Sequence, residues 1–360
     1  MSVALPTPSP PPNWVESRHP LGWLIARLLA VEPLRRLLFQ QARRLIIRTA
    51  EGRGIAWRER RDTLQAAAEP LLAASTTPDL PVPAYYQARF HAYDQGNLCW
   101  QAACEAEQAT DAMALRVWPG EPCLQPEEAQ LRLRRAIFAA IEPSLEGPLR
   151  RALDLGCSVG VGTLALQDWL LERERAHGAA AAGSALEPAP AQAPGVAGPS
   201  QGAMVEGLDL SARMLAVARV REAEQRALAP AAPTGSASAG AITWHHAAAE
   251  ATGLPAAAYD LITLQFVCHE LPQPASRAVL AEAARLLRPG GVIAVVDQDP
   301  ESAVIRRLPA PVATLLKSTE PYLEDYFRLD FAAALREAGF QAVRREAADP
   351  RHRVLVARRS

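Results

Sequence analysis

The sequence predicts an α/β protein in which a mostly parallel sheet of seven strands carries helices on both faces and is preceded by a helical N-terminal cap. Segments with strand-like and helix-like patterns alternate from Arg150 onward, which is typical of a parallel sheet. A glycine-rich turn follows the first of these strands. Of the 360 residues, 49% are hydrophobic and 21% are charged, so the chain has enough apolar side chains for a sizeable core.

The N-terminal region divides into two predicted parts. Residues 1–20 are rich in proline, and we expect a disordered tail there. Residues 21–142 are expected to form a cap of helices and aromatic residues. The first helices of this cap have apolar residues at helical spacing with arginines between them, and residues 1–61 contain eleven arginines against four glutamates.

This basic amphipathic region has two interpretations. It is either a helix lying on an anionic membrane surface, which would give peripheral membrane contact, or a cap packed on the domain behind it. We favour packing, because a helix that packs on its own domain also has an apolar stripe, which the domain then buries.

Aromatic side chains are dense in residues 85–100, which we call the aromatic segment. The segment is either a lid over a ligand or a cluster that holds the N-terminal helices in place. We favour the lid, because the turn-forming pair Gly96-Asn97 lies among the aromatic residues and the segment precedes the first strand. Its side chains of interest are Tyr85, Tyr86, Phe90, His91, Tyr93 and Trp100.

The predicted domain over residues 143–360 contains the sheet. Two stretches within it, 177–203 and 227–240, have few large apolar residues, and we interpret them as low-complexity surface insertions. The strands are expected at 151–155, 204–209, 241–246, 260–266, 291–297, 341–346 and 352–358. Helices are expected at 126–142, 163–175, 211–227, 273–288 and 328–338.

The turn after the first strand reads GCSVGVG (156–162) and leads into a helix. Its glycines let a ligand approach the backbone, and the helix N-terminus offers free N–H groups. The dinucleotide fingerprint G-x-G-x-x-G does not fit, because Ser158 and Val161 occupy two glycine positions. The pattern D-x-G-x-(G/S)-x-G fits, with Asp154, Gly156, Ser158 and Gly160.

An aspartate, Asp209, closes the second predicted strand. A carboxylate at this place can accept hydrogen bonds from both ribose hydroxyls of a nucleoside. The 49 residues between Gly160 and Asp209 are too many for a strand–helix–strand unit, but removing the 27-residue insertion leaves 22. That number is close to the roughly 20 residues expected.

Four motifs in order resemble those of class I S-adenosylmethionine-dependent methyltransferases of the ubiquinone/menaquinone-biosynthesis-like (type 11) kind. Segments outside these motifs are similar to an uncharacterised plant, algal and cyanobacterial branch. The resemblance implies a Rossmann-like fold and S-adenosylmethionine as cofactor. The motifs are ALDLGCSVGVGT (152–163), VEGLDLSARMLAVAR (205–219), HAAAEATGLP (246–255) with YDLITLQFVCHELP (259–272), and AARLLRPGGVIAVVDQDP (283–300).

The resemblance also assigns cofactor-binding roles. Asp154 and the glycine turn, with Gly156, Ser158 and Gly160, would face the methionine part of the cofactor. Asp209 would bind the ribose, and Leu210 would pack on the adenine. Glu250 and Ala251 would lie at the adenine amino group, and Gln265 with Phe266 would lie near the sulfonium.

Methyl transfer from a sulfonium is an in-line displacement, and its catalysis is largely alignment and exclusion of water. A general base is required only where the acceptor must lose a proton. The candidates are His269 and Glu270, just beyond the fourth strand, and Asp297 at the end of the fifth. Each also has a structural interpretation, as a hydrogen-bonding or helix-capping residue.

Composition limits the partners. The 38 basic and 39 acidic residues leave a net charge of −1, which argues against a nucleic-acid partner. The five cysteines form no Cys-x-x-Cys pair, and His245 and His246 should point to opposite faces of a strand, so we assign no metal. Lys317, the only lysine, is expected to be a solvated surface residue.

The resulting functional hypothesis is methyl transfer to an oxygen or carbon of a small, apolar, quinone-like or isoprenoid acceptor. The alternatives are a non-catalytic S-adenosylmethionine-binding protein and an RNA or protein methyltransferase. The sequence contains neither a run of ~18 apolar residues nor the hydrophobic core of a signal peptide, so we expect a cytoplasmic protein. Nothing in the sequence indicates the oligomeric state.

Overall fold

The computed structural model describes residues 10–16, 20–91, 93, 95–184, 203–228 and 240–360. These residues form one seven-stranded sheet in the order β3-β2-β1-β4-β5-β7-β6. Only β7 runs antiparallel to its neighbours, so the predicted mostly parallel sheet is confirmed. The strands are β1 (Arg151–Leu155), β2 (Met204–Asp209), β3 (Thr243–His246), β4 (Tyr259–Gln265), β5 (Leu287–Gln298), β6 (Phe340–Ala347) and β7 (His352–Arg359).

The central strand β4 and the second half of β5 are buried on both faces, which explains the apolar run of residues 292–296 in β5. Alternate residues of β5 enter different cores. Val292 and Val296 pack on one side of the sheet, whereas Ile293 and Val295 pack on the other. Helices cover both of these cores, as the sequence predicts. They are α7 (Val161–Ser184), α8 (Ala212–Leu228), α9 (Gln273–Leu286), α10 (Ala303–Arg306), α11 (Ala310–Thr319), α12 (Leu323–Arg328) and α13 (Phe331–Glu337).

The helix α7 is longer than the sequence suggests. It continues to Ser184, beyond the predicted end at residue 175, so the first residues of the predicted insertion are helical. The physical reason is the alanine run at 179–182, because alanine is the best helix former. The remainder of the insertion predicted over 177–203 lies outside the described residues from 185 to 202. Residues 229–239, within the second predicted insertion, also lie outside them.

Among the described residues, six α-helices precede the first strand and form the N-terminal cap. Leu64 of the fourth helix and Ala103 of the fifth are fully buried and belong to the same hydrophobic cluster as Met214 and Val217 of α8. The sixth helix packs Ile137 and Phe138 on the sheet. The cap helices are α1 (Asn13–Glu16), α2 (Pro20–Leu29), α3 (Glu32–Glu51), α4 (Trp57–Ala68), α5 (Trp100–Val117) and α6 (Pro126–Ile141).

The short helix α1 corrects the predicted disordered tail over residues 1–20. Trp14 is buried, its Nε1–H donates to the carbonyl of Ile305 at 2.7 Å, and its ring meets Phe327 edge-on at 5.3 Å. An indole that buries its ring and satisfies its N–H holds even a proline-rich segment in place. Residues 1–9 and 17–19 lie outside the described part of the chain.

Lys317 holds the same helix and is not the solvated residue that the sequence suggests. Its Nζ donates to the carbonyls of Trp14 and Val15 at 3.4 Å each and forms an ion pair with Glu324 at 2.8 Å. The lysine therefore joins α1 to α11 and α12.

The helices α2 and α3 are packed on the domain only in part. Ile47 and Ala50 of α3 are buried, but most large apolar side chains of the two helices remain exposed. The packing that the sequence favours therefore accounts for one side of α3 and for Leu29 of α2, which is also buried. Within the described residues, no helix is both long and apolar enough to cross a bilayer.

A buried carboxylate, Glu206, connects the first four strands at the edge where β1 begins. It accepts hydrogen bonds from Arg151 Nε at 3.0 Å and Tyr259 Oη at 2.8 Å, and it pairs with His245 Nε2 at 2.7 Å. Burial alone would raise the pKa of Glu206, but these partners outweigh burial and lower the pKa to about 2.

We predict that Glu206→Gln lowers the free energy of unfolding by about 2 kcal/mol at neutral pH, because the hydrogen bonds of Arg151 lose their charged acceptor. A carboxyl with a lowered native pKa stabilises the fold above its unfolded pKa and loses this effect as pH falls. The difference between wild type and variant should therefore shrink as pH falls from about 4.5 toward 2. Urea unfolding at several pH values measures it, and Glu59→Gln, an exposed residue of α4, is the control.

Candidate active site

The glycine turn after β1 lies at the edge where the parallel strands end, which is where open α/β sheets bind ligands. Gly156 and Gly160 have φ of +73° and +76°, which favours glycine at both positions. Ser158 between them is also left-handed, with φ of +50°. The carboxylate of Asp209 holds this serine, because its Oδ2 accepts from the backbone N–H of Ser158 at 2.8 Å.

The two glycines also let the chain pack closely on itself. A Cβ at Gly156 would lie 2.6 Å from Val267 Cγ2, and a Cβ at Gly160 would lie 2.7 Å from the ring of Trp244. Both contacts are too short for any side chain. Val267 therefore lies directly on the part of the turn to which the family resemblance assigns the methionine end of a cofactor.

Asp209 lies at the carboxyl end of β2 and is buried. Its Oδ1 accepts from Ser211 N–H at 2.8 Å and, at a longer 3.4 Å, from the hydroxyl of Tyr86. Burial raises the pKa of Asp209 to about 6, although the two backbone donors lower it. The sequence and the structure thus place an acid beside the glycine turn, and the structure adds a tyrosine above it.

The predicted adenine-side residues lie next to the same aromatic segment. Glu250 Oε1 accepts from the hydroxyl of Tyr85 at 2.8 Å. Ala251 follows it in a short bridge with Ala248, and Leu210 is buried. Neighbouring tyrosines therefore donate to both of the acids that the resemblance assigns to a nucleoside.

Asp154 and Gln265 lie in the interior beneath the turn. Asp154 accepts from Thr263 Oγ1 at 2.6 Å, Thr163 Oγ1 at 2.8 Å and Gln265 Nε2 at 3.2 Å. Burial raises the pKa of Asp154, and these donors oppose the rise. Asp154 thus connects β1 to β4 and α7. The contacts that the resemblance implies between these two residues and a cofactor stay a prediction.

Sequence reasoning missed Arg134 of α6, whose Nη1 donates to Gln265 Oε1 at 2.6 Å. Arg134 is buried, burial lowers its pKa to about 10, and its Nε has no hydrogen-bond partner in the described part of the chain. The signal was available: Arg134 shares the apolar stripe of α6 with Phe138 and Ile141. An arginine in such a stripe is a buried cation.

Phe266 follows β4, and its ring packs against Arg134, whose guanidinium carbon lies 5.5 Å from the ring centroid. Its φ is +61°, and its ring packs edge-on against His352 at 5.0 Å, on the sheet face that carries α6. Because Arg134 also donates to Gln265, the expectation that Phe266 lies near the sulfonium stays a prediction.

His269 and Asp297 form a hydrogen-bonded pair at the carboxyl ends of β4 and β5. Asp297 Oδ1 lies 2.9 Å from His269 Nδ1, and its Oδ2 accepts from the backbone N–H of His269 at 3.0 Å. Burial lowers the pKa of an imidazole, but the carboxylate of Asp297 outweighs burial, and the pKa of His269 rises to about 9. Nε2 has no partner among the described residues. An imidazole oriented by a carboxylate with its other nitrogen free is the arrangement of a proton-transfer group.

His91 of the aromatic segment lies between two carboxylates. Its Nε2 is 2.7 Å from Glu270 Oε1, and its Nδ1 is 2.6 Å from Glu320 Oε1. Asn97 Nδ2 donates to the other oxygen of Glu270 at 2.7 Å. Burial opposes a charged imidazole, but the two carboxylates hold the pKa of His91 well above its usual range. From the sequence we expect residues 315–326 to add to the wall of the pocket, and the structure places Glu320 of this stretch beside His91.

The same three side chains have the composition of a metal site, because their ligand atoms all lie within 4.8 Å of one another. A metal ligand must present a ring nitrogen with a free lone pair. Both nitrogens of His91 instead face carboxylate oxygens at hydrogen-bond distance, as they do in an imidazolium. The imidazolium supplies the positive charge that the two carboxylates need.

The aromatic segment, of which residues 92 and 94 are not described, thus reaches several acids along the carboxyl edge. Phe90 is fully buried between Tyr86 and Tyr322, at ring distances of 6.5 and 6.1 Å. The segment covers Asp209, Glu250 and Glu270 by hydrogen bonds from its own side chains.

Comparison with known proteins gives one family match. Residues 179–295 match the family model described as a methyltransferase domain, which is about a third of the chain. The match begins after the glycine turn and includes Asp209, Glu250, His269 and Glu270. A search of curated proteins found no match.

Several solved structures are similar in fold. The carbon methyltransferase CurJ is 14% identical with a TM-score of 0.44, and the alignment covers 89% of this chain and 70% of that chain. An O-methyltransferase family protein from Burkholderia thailandensis is 18% identical with a TM-score of 0.43, covering 83% and 70%. The S-adenosylmethionine-dependent methyltransferase SibL is 21% identical with a TM-score of 0.41, covering 65% and 57%. Likenesses this distant do not indicate a substrate.

We predict that the imidazole of His269 titrates near pH 9 and that Asp297→Asn moves its pKa below the ordinary value of about 6.5. Without the carboxylate, burial acts on the ring with less opposition. Nuclear magnetic resonance of the histidine ring protons measures both values. Asp325→Asn on α12 should leave the His269 titration unchanged, and a wild-type pKa at or below neutrality would contradict the assignment.

Proposed function

We propose that this protein is an S-adenosylmethionine-dependent methyltransferase that acts on an oxygen or carbon of a small, apolar acceptor. The observation that carries the proposal is Asp209, a buried acid at the end of β2 that is hydrogen-bonded to the glycine turn after β1. The match of residues 179–295 to a methyltransferase domain supports it. The net charge of −1 favours a small acceptor over a nucleic acid.

The residues present fit the cofactor in chemistry. Asp209 and Glu250 would accept from the ribose hydroxyls and the adenine amino group, in place of the hydroxyls of Tyr86 and Tyr85. The contact from Tyr86 to Asp209 is long at 3.4 Å, so it costs little to exchange. Gly156 and Gly160 would allow the methionine end to approach once Val267 moves. When bound, S-adenosylmethionine supplies a methyl group already activated by its sulfonium.

The chain itself supplies alignment, exclusion of water and proton transfer. The aromatic segment covers the carboxyl edge and would keep water from the reacting groups. His269 is our candidate base, because Asp297 orients it and its Nε2 is free among the described residues. Both oxygens of Glu270 already have partners, His91 and Asn97, so we assign it to holding the aromatic segment.

The apolar character of the acceptor rests on the aromatic side chains beside His91, of which Phe90 lies 6.3 Å from the imidazole ring. Phe90, Tyr85 and Tyr322 form an aromatic group on the same side of the molecule as Glu270 and Glu320. Flat apolar rings pack well on aromatic side chains. A quinone-like or isoprenoid acceptor would suit such walls.

A second candidate function is cofactor binding without catalysis. It is favoured by one observation. Val267 lies against Gly156, and Tyr85 and Tyr86 donate to Glu250 and Asp209, so a bound cofactor would displace these side chains and move the aromatic segment. Cofactor binding with no methyl transfer to any small molecule would support this alternative.

We predict that Asp209→Ala weakens S-adenosylmethionine binding about 10- to 100-fold, since hydrogen bonds to a charged group contribute about 1.5–3 kcal/mol. Isothermal calorimetry with the cofactor and with its demethylated product measures the change. Asp62→Ala, an exposed residue of α4, serves as the control. Unchanged affinity in Asp209→Ala would exclude the cofactor site proposed here.

We predict that turnover rises with pH toward about 9 and that His269→Ala lowers it at least about 100-fold and flattens the profile. A base with a raised pKa is protonated, and therefore inactive, at neutral pH. The assay transfers labelled methyl from the cofactor to a lipophilic metabolite extract, which also identifies the acceptor. His177→Ala on α7 is the control, and full activity of His269→Ala would remove His269 as the base.

A further inference from the structure

We propose that the exposed face of α2, α3 and α11 docks this protein on an anionic membrane surface. Among the described residues, ten of the fourteen exposed large hydrophobic side chains lie on these helices or on the connection between α2 and α3. Isolated exposed apolar residues are ordinary, but a concentration of this kind marks an interaction surface. The docking face consists of Trp23, Leu24, Leu28, Val31, Leu37, Leu38, Leu45, Ile46, Val312 and Leu315.

The three helices are adjacent. The helix α2 packs against both α3 and α11, so the exposed residues of the three helices belong to one region of the surface. Trp23 and Leu45 are 59% and 67% exposed, which is too much for side chains that the domain covers. The sequence alone favours packing for this region, whereas the structure leaves its apolar side open.

The geometry of α3 separates a packed side from a free side. Ile47 and Ala50 are buried against the cap, and Arg43 on that side forms an ion pair with the buried Glu105. Leu37, Arg44, Leu45 and Arg48 follow the spacing i, i+7, i+8 and i+11, so they share the opposite side. Apolar and basic side chains therefore alternate along the free side.

Some arginines of this region pair with glutamates, whereas others have no acidic partner among the described residues. Glu32 pairs with Arg35 and Arg36, and Glu51 pairs with Arg58. Arg27, Arg44 and Arg48 have no acidic partner in the described part of the chain, and Arg27 lies over the ring of Trp23 at 5.1 Å. Leucine and tryptophan side chains with arginines beside them are the composition of helices that lie in the plane of a membrane interface. The arginines would pair with lipid phosphates while the apolar side chains enter the acyl boundary.

A second copy of this chain is a poorer occupant. A two-fold interface would bring the same unpaired arginines of both copies together, and like charges across an interface oppose binding. An anionic surface complements both the charge and the apolar character of the face. Docking on such a surface does not depend on the methyltransferase proposal.

The docking face also adjoins the candidate active site. Val312 and Leu315 lie on α11, which ends at Thr319, and the carbonyl of Thr319 accepts from the backbone N–H of His91 at 2.9 Å. Glu320, which follows, pairs with the imidazole of the same residue. If the proposed function holds, an apolar acceptor dissolved in the membrane would meet the protein beside the aromatic segment.

The test is flotation of the full chain with vesicles of phosphatidylcholine alone and of phosphatidylcholine with phosphatidylserine. We expect binding to the mixed vesicles and little to the neutral ones. Arg44→Gln with Arg48→Gln should weaken binding about fivefold per arginine at low salt. Leu37→Ser with Leu45→Ser should reduce it further. Matched controls are Leu131→Ser and Arg135→Gln, an exposed leucine and an exposed arginine on α6, which should bind as the wild type does.

Circular dichroism checks that each variant is folded. Equal flotation on both vesicle types, or binding that Leu37→Ser with Leu45→Ser leaves intact, would overturn the proposal. Dimers in sedimentation that this variant dissociates, with no flotation of the wild type, would assign the face to a second copy instead. Because flotation requires no methyl transfer, its outcome is independent of the activity assays.

Discussion

The carboxylate of Asp154 is the interaction on which the arrangement of the candidate site depends. It receives hydrogen bonds from Thr163 at the start of α7 and from Thr263 and Gln265 on β4, and Gln265 in turn accepts from Arg134 of the cap. A carboxylate in an apolar interior is costly unless donors surround it, so these contacts hold together elements that are distant in sequence. The glycine turn, the ends of two strands and the cap are fixed relative to one another by one side chain.

The aromatic segment forms the outer layer of the site, over the elements that Asp154 joins. Asp209, Glu250 and Glu270 all receive hydrogen bonds from side chains of that segment, and His91 adds a pairing with two carboxylates. Asp154 therefore holds the scaffold together. The outer acids Asp209, Glu250 and Glu270 hold the aromatic segment that covers this scaffold. A ligand at this edge has to compete with groups that already satisfy the outer acids.

Much of this could be predicted from the sequence, and the reasons for the rest are physical. Buried strands and the spacing from the glycine turn to Asp209 depend on local pattern, which a sequence displays. Arg134 meets Gln265 across 131 positions, and His91 meets Glu320 across two separate elements, so no local pattern reports these contacts. Phe266 has a φ of +61°, a backbone state that its residue type does not signal. Trp14 orders a segment whose composition alone favours disorder.

The contact of Lys317 with α1 has a consequence for labelling chemistry. Since the chain has only this lysine, an acylating reagent finds one side-chain amine, and that amine is partly covered by the carbonyls of Trp14 and Val15 and by Glu324. Acylation would remove the positive charge from the place where α1, α11 and α12 meet. The rate at which Lys317 is acylated therefore measures how often α1 detaches from α11 and α12. The natural sequence thus provides a single-site chemical reporter for this junction.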